Sequence, residues 1–593
     1  MNDLLWVLVG LLAFSTVAVG AKARGFLPES VRVQGPILSI HTERGKELID
    51  RIATARRFWQ VWTGGGLVVT AAVMVGAAVA LPVSALSALQ RETTTQVTEP
   101  QNVLVIPGVN DFLPLSVAPE ILFGLLIGLV VHEGGHGILC RVGDIDIDSM
   151  GIVLLSVLPI AAFVQPDEES RDDADRGSQA LMFAGGVTNN FALTGVCLLL
   201  LFGPVTGAIA VADGVGVGST VPGSPAAAAG IDGGDRITAV GDTPVDDESE
   251  LDAALSDADG DVSVTTADGE RVTVDRYVYL TRTSTAVREA LGVSADRTEP
   301  PRVTAVAGQS VGTESEFRSV LREETVATVE TTAGSVELVA GAVVTAAPDD
   351  GAFARATAVD PANRRVVITR LAGERVLDVE DLTDVLGGLD AGETTTVEYY
   401  VDGEARTTEV TLGSDDDDAR LGVRLRSGVG GVAVGDFGAQ TYPAAGFLSL
   451  LGGEAGGGGL GGVLTTILLV LTLPLISTIQ PTPFNFAGFT GANSAFYTVP
   501  GLPDAPVFIL ANVLFWTAWV NLNLATFNCI PSFPLDGGHI LRVGAEVVVD
   551  RLPLAVDRER DAVLAVTGTM GLLMVGSFLL LFVGPQVGNV LGL

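Results

Sequence analysis

Two histidines four residues apart with a glutamate between them, His132-Glu133-Gly134-Gly135-His136, are the most chemically pointed combination in the chain. On an α-helix, positions i and i+4 share a face, so both imidazoles can grip one Zn²⁺ ion. Glu133 projects beside them and is placed to take a proton from an activated water. The chain has 4 histidines in 593 residues, so the motif uses half of them, which favours a dedicated site over two structural histidines.

The motif closes an apolar run, 121–131. Ionisable groups at membrane depth are costly and mark function. Both intervening residues are glycine, each costing about 1 kcal/mol in a water-exposed helix. In a membrane bundle, glycines let another helix or a substrate come close. An open zinc site needs a third protein ligand and a free fourth position. In Asn528-Cys-Ile-Pro-Ser-Phe-Pro-Leu-Asp536-Gly-Gly-His539, Asp536 is the first acid after Asp504. A lone carboxylate there is expensive without a cation, so Asp536 is assigned as the third ligand. Cys140, one turn beyond His136, is a rival thiolate ligand, set against a small apolar packing residue. His539 could replace or support Asp536, and a supporting or helix-start position is favoured. His41 lies in a polar loop and reads as structural.

The elements that must carry these residues are apolar. Crossing the hydrocarbon takes about 20 residues of helix. Seven stretches qualify: 3–20, 64–88, 119–141, 179–212, 461–480, 506–530 and 562–584. The fourth is too long for one crossing and is expected to span and then follow the interface. The first is read as a retained anchor rather than a removed signal peptide. The expected fold class is a multi-pass α-helical membrane protein of about 6–7 transmembrane segments with inserted soluble β-rich domains.

Composition agrees. Hydrophobic residues make up 48% of the chain, yet the net charge is −36, which fits apolar spans plus an acidic water-facing part. Only Lys22 and Lys46 are lysines, and this acid-rich, lysine-poor balance resembles proteins of salt-loving archaea. With no basic face, nucleic-acid binding is excluded. Cys140, Cys197 and Cys529 all lie in apolar segments and suggest no disulfide framework.

The loop 21–62 carries eight Lys/Arg against four acids, which places it in the cytoplasm and the N-terminus outside. Residues 213–430 are polar, with alternating runs such as 261–266, and read as small β-rich domains outside the cell. Residues 452–462 are a glycine-rich linker back to the membrane. The expected domains are 1–118, the N-terminal segments; 119–212, the first half of the core; 213–300 and 301–430, two soluble domains; and 431–593, the second half of the core. An odd number of crossings must lead from an external insert to Asp536, but only 461–480 and 506–530 are apolar enough. Either one of them is re-entrant, or 481–505 adds a crossing.

The pair His132-Glu133-x-x-His136 and Asn528-x-x-Pro531-x-x-x-Leu535-Asp536-Gly537 resembles the site-2 protease family of intramembrane zinc metalloproteases. The resemblance implies that His132, His136 and Asp536 hold Zn²⁺, that Glu133 is catalytic, and that Asn528 lies near the substrate backbone. Leu158-Pro-Ile-Ala-Ala-Phe-Val164 resembles the family's membrane-embedded β-hairpin, with Ala161 and Ala162 where glycine is usual. Its edge strand near Phe163 would pair with an unwound substrate. Gly185-Gly-Val-Thr-Asn189 resembles the family's Gly-Pro-x-x-Asn, with Gly186 in place of proline and Asn189 as a further substrate contact.

Residues 217–275 resemble a circularly permuted PDZ domain through Gly223-Ser-Pro-Ala-Ala-Ala-Ala-Gly230, Gly234-Asp235-Arg236-Ile237 and Gly241. Residues 367–425 repeat its later half. The family implies hydrolysis within transmembrane helices of membrane-protein substrates, in the lipid bilayer of the cell membrane, with the site toward the cytoplasm. The alternative is an inactive scaffold that binds partners through the PDZ-like domains.

Overall fold

The computed structural model describes residues 2–89, 107–108, 113–156, 158–258, 260–294, 299–361, 363–415, 418–453, 459–479, 483–553 and 556–591. The chain forms two compact units, Met1–Val211 together with Ala445–Leu593, and Ala212–Ala444.

Among the described residues of the first unit, five helices are long and apolar enough to cross a membrane: Arg56–Leu89, Leu115–Val142, Arg176–Ala208, Asp504–Asn528 and Arg558–Gly584. The protein is therefore a multi-pass membrane protein. Leucines and valines such as Val68, Leu199 and Leu572 lie exposed on these helices, as lipid-facing positions require. The stretch expected at 3–20 forms helix α1, Asn2–Ala23. The amphipathic α2, Glu43–Ala53, is capped by the Thr42 side chain accepting from Gly45 N–H. Helix α3 is Arg56–Leu89 and α4 is Ala118–Val142, entered through Pro119 in its first turn. Helix α5, Arg176–Leu200, starts where Asp175 accepts from Ser178 N–H. The long fourth stretch does not end at Leu200. It continues through a π turn containing Pro204 and a 3₁₀ turn to Ala208.

Glycines set how these helices meet. A Cβ on Gly124 would touch the Thr517 backbone at 3.0 Å, and one on Gly128 would meet Asn521 Oδ1 at 2.7 Å. Contacts that advance together along both chains mean that α4 and the Asp504–Asn528 helix run the same way. Gly135 lies against Gly185 and His132 against Asn190, so α5 runs opposite to α4.

The apolar stretch expected at 461–480 is short and folds back on itself. Helix α6, Gly459–Thr472, has only 14 residues and ends in a 3₁₀ turn. The Phe486 N–H then donates to Leu473 O at 3.1 Å. Residues 484–499 return beside helix α7, Asp504–Asn528. Trp519 Nε1 donates to Leu471 O, Trp516 Nε1 to Ala487 O, and the Asn512 amide pairs with both backbone groups of Phe489. Tyr497–Thr498 finally pairs with Ala210–Val211. The chain thus doubles back beside α7, and α7 leads to helix α8, Asp536–Val549. Helix α9, Val556–Leu591, packs along α3, with Gly584 against Ala88.

Beside α4 lies a four-stranded antiparallel sheet in the order β1 (Val31–Gln34), β2 (Ile37–His41), β3 (Ile147–Leu155) and β4 (Leu158–Pro166). The hairpin expected around 158–164 is thus enlarged by two strands from the basic loop, and β4 is its edge.

Among the described residues, the second unit holds three large hydrophobic cores where two domains are expected at 213–300 and 301–430. The first module orders its strands 271–274, 262–266, 236–240, 215–220 and 439–441. The third repeats this order with 404–411, 394–401, 366–371, 342–346 and 424–426. Between them a middle module joins 334–339, 326–331 and 303–306. Val303 N–H donates to Val278 O and Leu280 N–H to Pro301 O, which adds the strand Tyr279–Thr283, itself paired with Val432–Gly435. Each module packs a helix on its sheet: Leu251 and Leu255 in the first, Phe317 and Leu321 in the second, Leu382 in the third. The closing strands come in reverse order, 424–426, 432–435 and 439–441, so the modules are nested one inside the next. The expected boundary near 300 fails because the middle core already begins at Val278.

Candidate metal centre

His132 and His136 lie one turn apart on α4, as the spacing requires, and Asp536 opens α8 directly after the turn that follows α7. That turn is tight: a Cβ on Gly537 would meet Cys529 O and Ile530 O at 2.5 Å, and one on Gly538 the Ser532 backbone at 2.6 Å. Because α4 and α7 run the same way, the two motifs arrive at one end of the bundle.

The geometry is convergent. His132 Nε2 and His136 Nε2 are 3.1 Å apart. Asp536 Oδ2 is 3.1 Å from the first and 3.4 Å from the second. The three side chains are 9–12% exposed. His136 Nδ1 lies 2.8 Å from Met182 O. A carbonyl can only accept, so Nδ1 carries the proton and Nε2 presents its lone pair. Asp536 Oδ2 is buried without a hydrogen-bond partner.

Acceptor atoms crowded together and lacking donors are the environment a cation satisfies. Among the described residues, these three form the group able to hold a metal ion. Room for it depends on Gly186, where a Cβ would lie 2.7 Å from His136 Nε2 and 2.8 Å from His132 Nδ1. The residues present fit a zinc ion: two neutral imidazoles and a carboxylate are its ordinary ligands.

Glu133 points elsewhere. Its Oε2 accepts from Val164 N–H on β4 at 2.8 Å. The two glycines of the motif differ. Gly135 sits against α5, with 2.4 Å from its would-be Cβ to Gly185 O, whereas Gly134 faces open space.

The remaining expected residues are scattered. Asn189 accepts from Trp62 Nε1 at 3.1 Å, on the α3 side of its helix. Its neighbour Asn190 is the one that reaches His132, at 3.2 Å from Nδ1. The i,i+4 spacing of Gly186 and Asn190 puts both on one helix face, a signal that was present in the sequence. Asn528 donates to Leu524 O within its own helix. The Phe163 ring packs edge-on against His41 at 5.2 Å. Cys140 is fully buried in an apolar cluster with Ile138 and Ile145, as a packing residue. His539 stacks on Phe183 at 4.4 Å, outside the ligand group.

Residues 120–574 match peptidase family M50. Over 49 residues the chain is 37% identical to an uncharacterized protein of Methanocaldococcus jannaschii, a stretch covering 8% of this chain and 13% of that protein. Among solved structures, the PDZ domain of an SdrC-like protein from Listeria monocytogenes is similar at 17% identity, over 14% of this chain and 87% of that domain, with a TM-score of 0.13.

Proposed function

The chain belongs to peptidase family M50, the site-2 protease family, and we propose that it is an intramembrane zinc metalloendopeptidase that hydrolyses peptide bonds within transmembrane segments of other membrane proteins. The observation that carries this is the convergence of His132, His136 and Asp536, from two motifs about 400 residues apart, with Glu133 next to His132 on the same helix.

Zinc, when bound, supplies a Lewis acid that polarises the scissile carbonyl and acidifies water. His132, His136 and Asp536 would hold it. Glu133 accepts the proton from the attacking water and passes it to the leaving amine. The edge strand β4, carrying Phe163 and Val164, receives the substrate as an added strand. The substrate helix must unwind first, because a helical peptide bond is locked in its own hydrogen bonds. Asn528, the last residue of α7 and directly before the turn that leads to Asp536, contacts the substrate backbone.

The basic loop 21–62 lies at the same end of the bundle as the motifs, since Arg56 pairs with Asp144 and donates to Arg141 O. The positive-inside rule then puts the catalytic end in the cytoplasm. The nested modules, of which the first and third share the PDZ-like strand order, serve as ectodomains outside the cell.

The test is cleavage of tagged single-span substrates in high salt by the native chain and by Glu133→Gln. Cleavage within the span by the native chain alone, stopped by a zinc chelator, is expected. Equal cleavage by both forms would overturn the reading.

A further inference from the structure

Resting on the metal centre described above, we propose that Asn190 is a positioning residue for it: the side-chain amide oxygen accepts the Nδ1–H of His132 and so turns the ring's Nε2 lone pair toward His136 and Asp536.

Asn190 is fully buried in the bundle, at 0% exposure. As placed, the amide Nδ2 lies 3.2 Å from His132 Nδ1, and Oδ1 is buried with no partner. Amide oxygen and nitrogen exchange by a 180° flip, so the chemistry of the imidazole decides which faces it. His132 Nε2 sits 3.1 Å from both His136 Nε2 and Asp536 Oδ2. If Nδ1 were the acceptor, Nε2 would carry the proton and point it at its neighbours, and the ring would be a hydrogen-bond donor rather than a ligand. For His132 to ligate, Nδ1 must carry the proton and Asn190 must present its oxygen.

His136 meets the same need through the backbone carbonyl of Met182. The two rings are therefore oriented from α5 by different means, one by main chain and one by side chain. Only the second can be removed by mutation. A side chain that orients a metal-bound histidine typically contributes 10–100-fold in metal affinity.

The test uses the full-length chain in detergent and high salt, with Zn²⁺ affinity measured by competition against a chromophoric chelator and the Co²⁺ absorption spectrum as a second readout. Asn190→Leu, which cannot accept, is expected to weaken binding by about 10–100-fold and to change the Co²⁺ spectrum. Asn190→Asp, nearly isosteric and able only to accept, is expected to bind within a few-fold of the native chain. His132→Ala, the control, loses binding. Native-like affinity in Asn190→Leu while His132→Ala loses it overturns the proposal and leaves the metal centre standing. Loss in Asn190→Asp overturns it too, since a donor would then be what His132 needs, and this result decides alone if Asn190→Leu does not fold. Full binding by His132→Ala overturns the metal centre itself.

Discussion

The Oε2 of Glu133 accepts a hydrogen bond from the backbone N–H of Val164 at 2.8 Å. One end of this bond is the carboxylate between the two histidines. The other is the open edge of β4. The group that would move the proton and the strand that would receive a substrate are thus one hydrogen bond apart. On the proposed reading, a substrate carbonyl pairing with Val164 would compete for the same N–H and free the carboxylate as it docks.

Replacing Val164 by proline removes this donor, which points away from the β3 ladder. Edge strands tolerate proline at such positions. Metal affinity should stay unchanged while kcat/KM for cleavage falls by about tenfold, the worth of one hydrogen bond of about 1–1.5 kcal/mol. Val164→Ala, which keeps the N–H, should cleave nearly as well as the native chain. Parallel cleavage kinetics and zinc content check both.

Three neighbouring glycines should respond differently to alanine. At Gly134 nothing lies within 4 Å, so alanine should be accepted and should favour the helix by up to about 1 kcal/mol. At Gly135 the new methyl meets Gly185 O and should push α4 from α5, costing about 1–3 kcal/mol of stability. At Gly186 it meets both imidazoles, so the protein should fold but lose metal affinity. Thermal unfolding and zinc titration separate the three.

Arg276 and Asp436 form a buried ion pair in the insert, exposed 6% and 8%. Arg276 also donates to Leu255 O and Ala258 O, and Asp436 accepts from Glu314 N–H. The pair ties the first module to the middle one. Arg276→Ala strands a buried carboxylate and should cost about 3–5 kcal/mol. Limited proteolysis of the full chain should show the insert opening, with zinc content unchanged.

Glu314 carries a pH signature. Burial, and then the neighbouring Asp436, raise its carboxyl above the ordinary value. A raised folded-state value means that folding disfavours the charged form. The penalty is absent below the unfolded value of about 4.3 and grows as pH rises through the folded value. Glu314→Gln should therefore stabilise the insert at neutral pH and have no effect near pH 4, as melting curves across that range would show.

The His132–His136 motif was legible because it is local: one helical turn places His132, Glu133 and His136 from spacing alone. Asp536 was legible because a carboxylate in an uncharged stretch demands a partner. The apolar lengths announced a membrane protein, and the motif pair carried the family.

What lay beyond the sequence was non-local. A rotation of about 100° per helical residue separates Asn189 from Asn190, and the packing of α5 on α4 and α3 decided which one faces His132. Hydropathy marks 461–480 as apolar but does not tell a crossing from a return; the Trp516, Trp519 and Asn512 bonds to the returning chain decide that. The middle module was hidden because strands 424–441 close all three modules in reverse order. Side-chain periodicity reports which face of a strand is buried, but not which distant strand lies beside it; that choice is made by backbone pairing, and only the tertiary structure makes it.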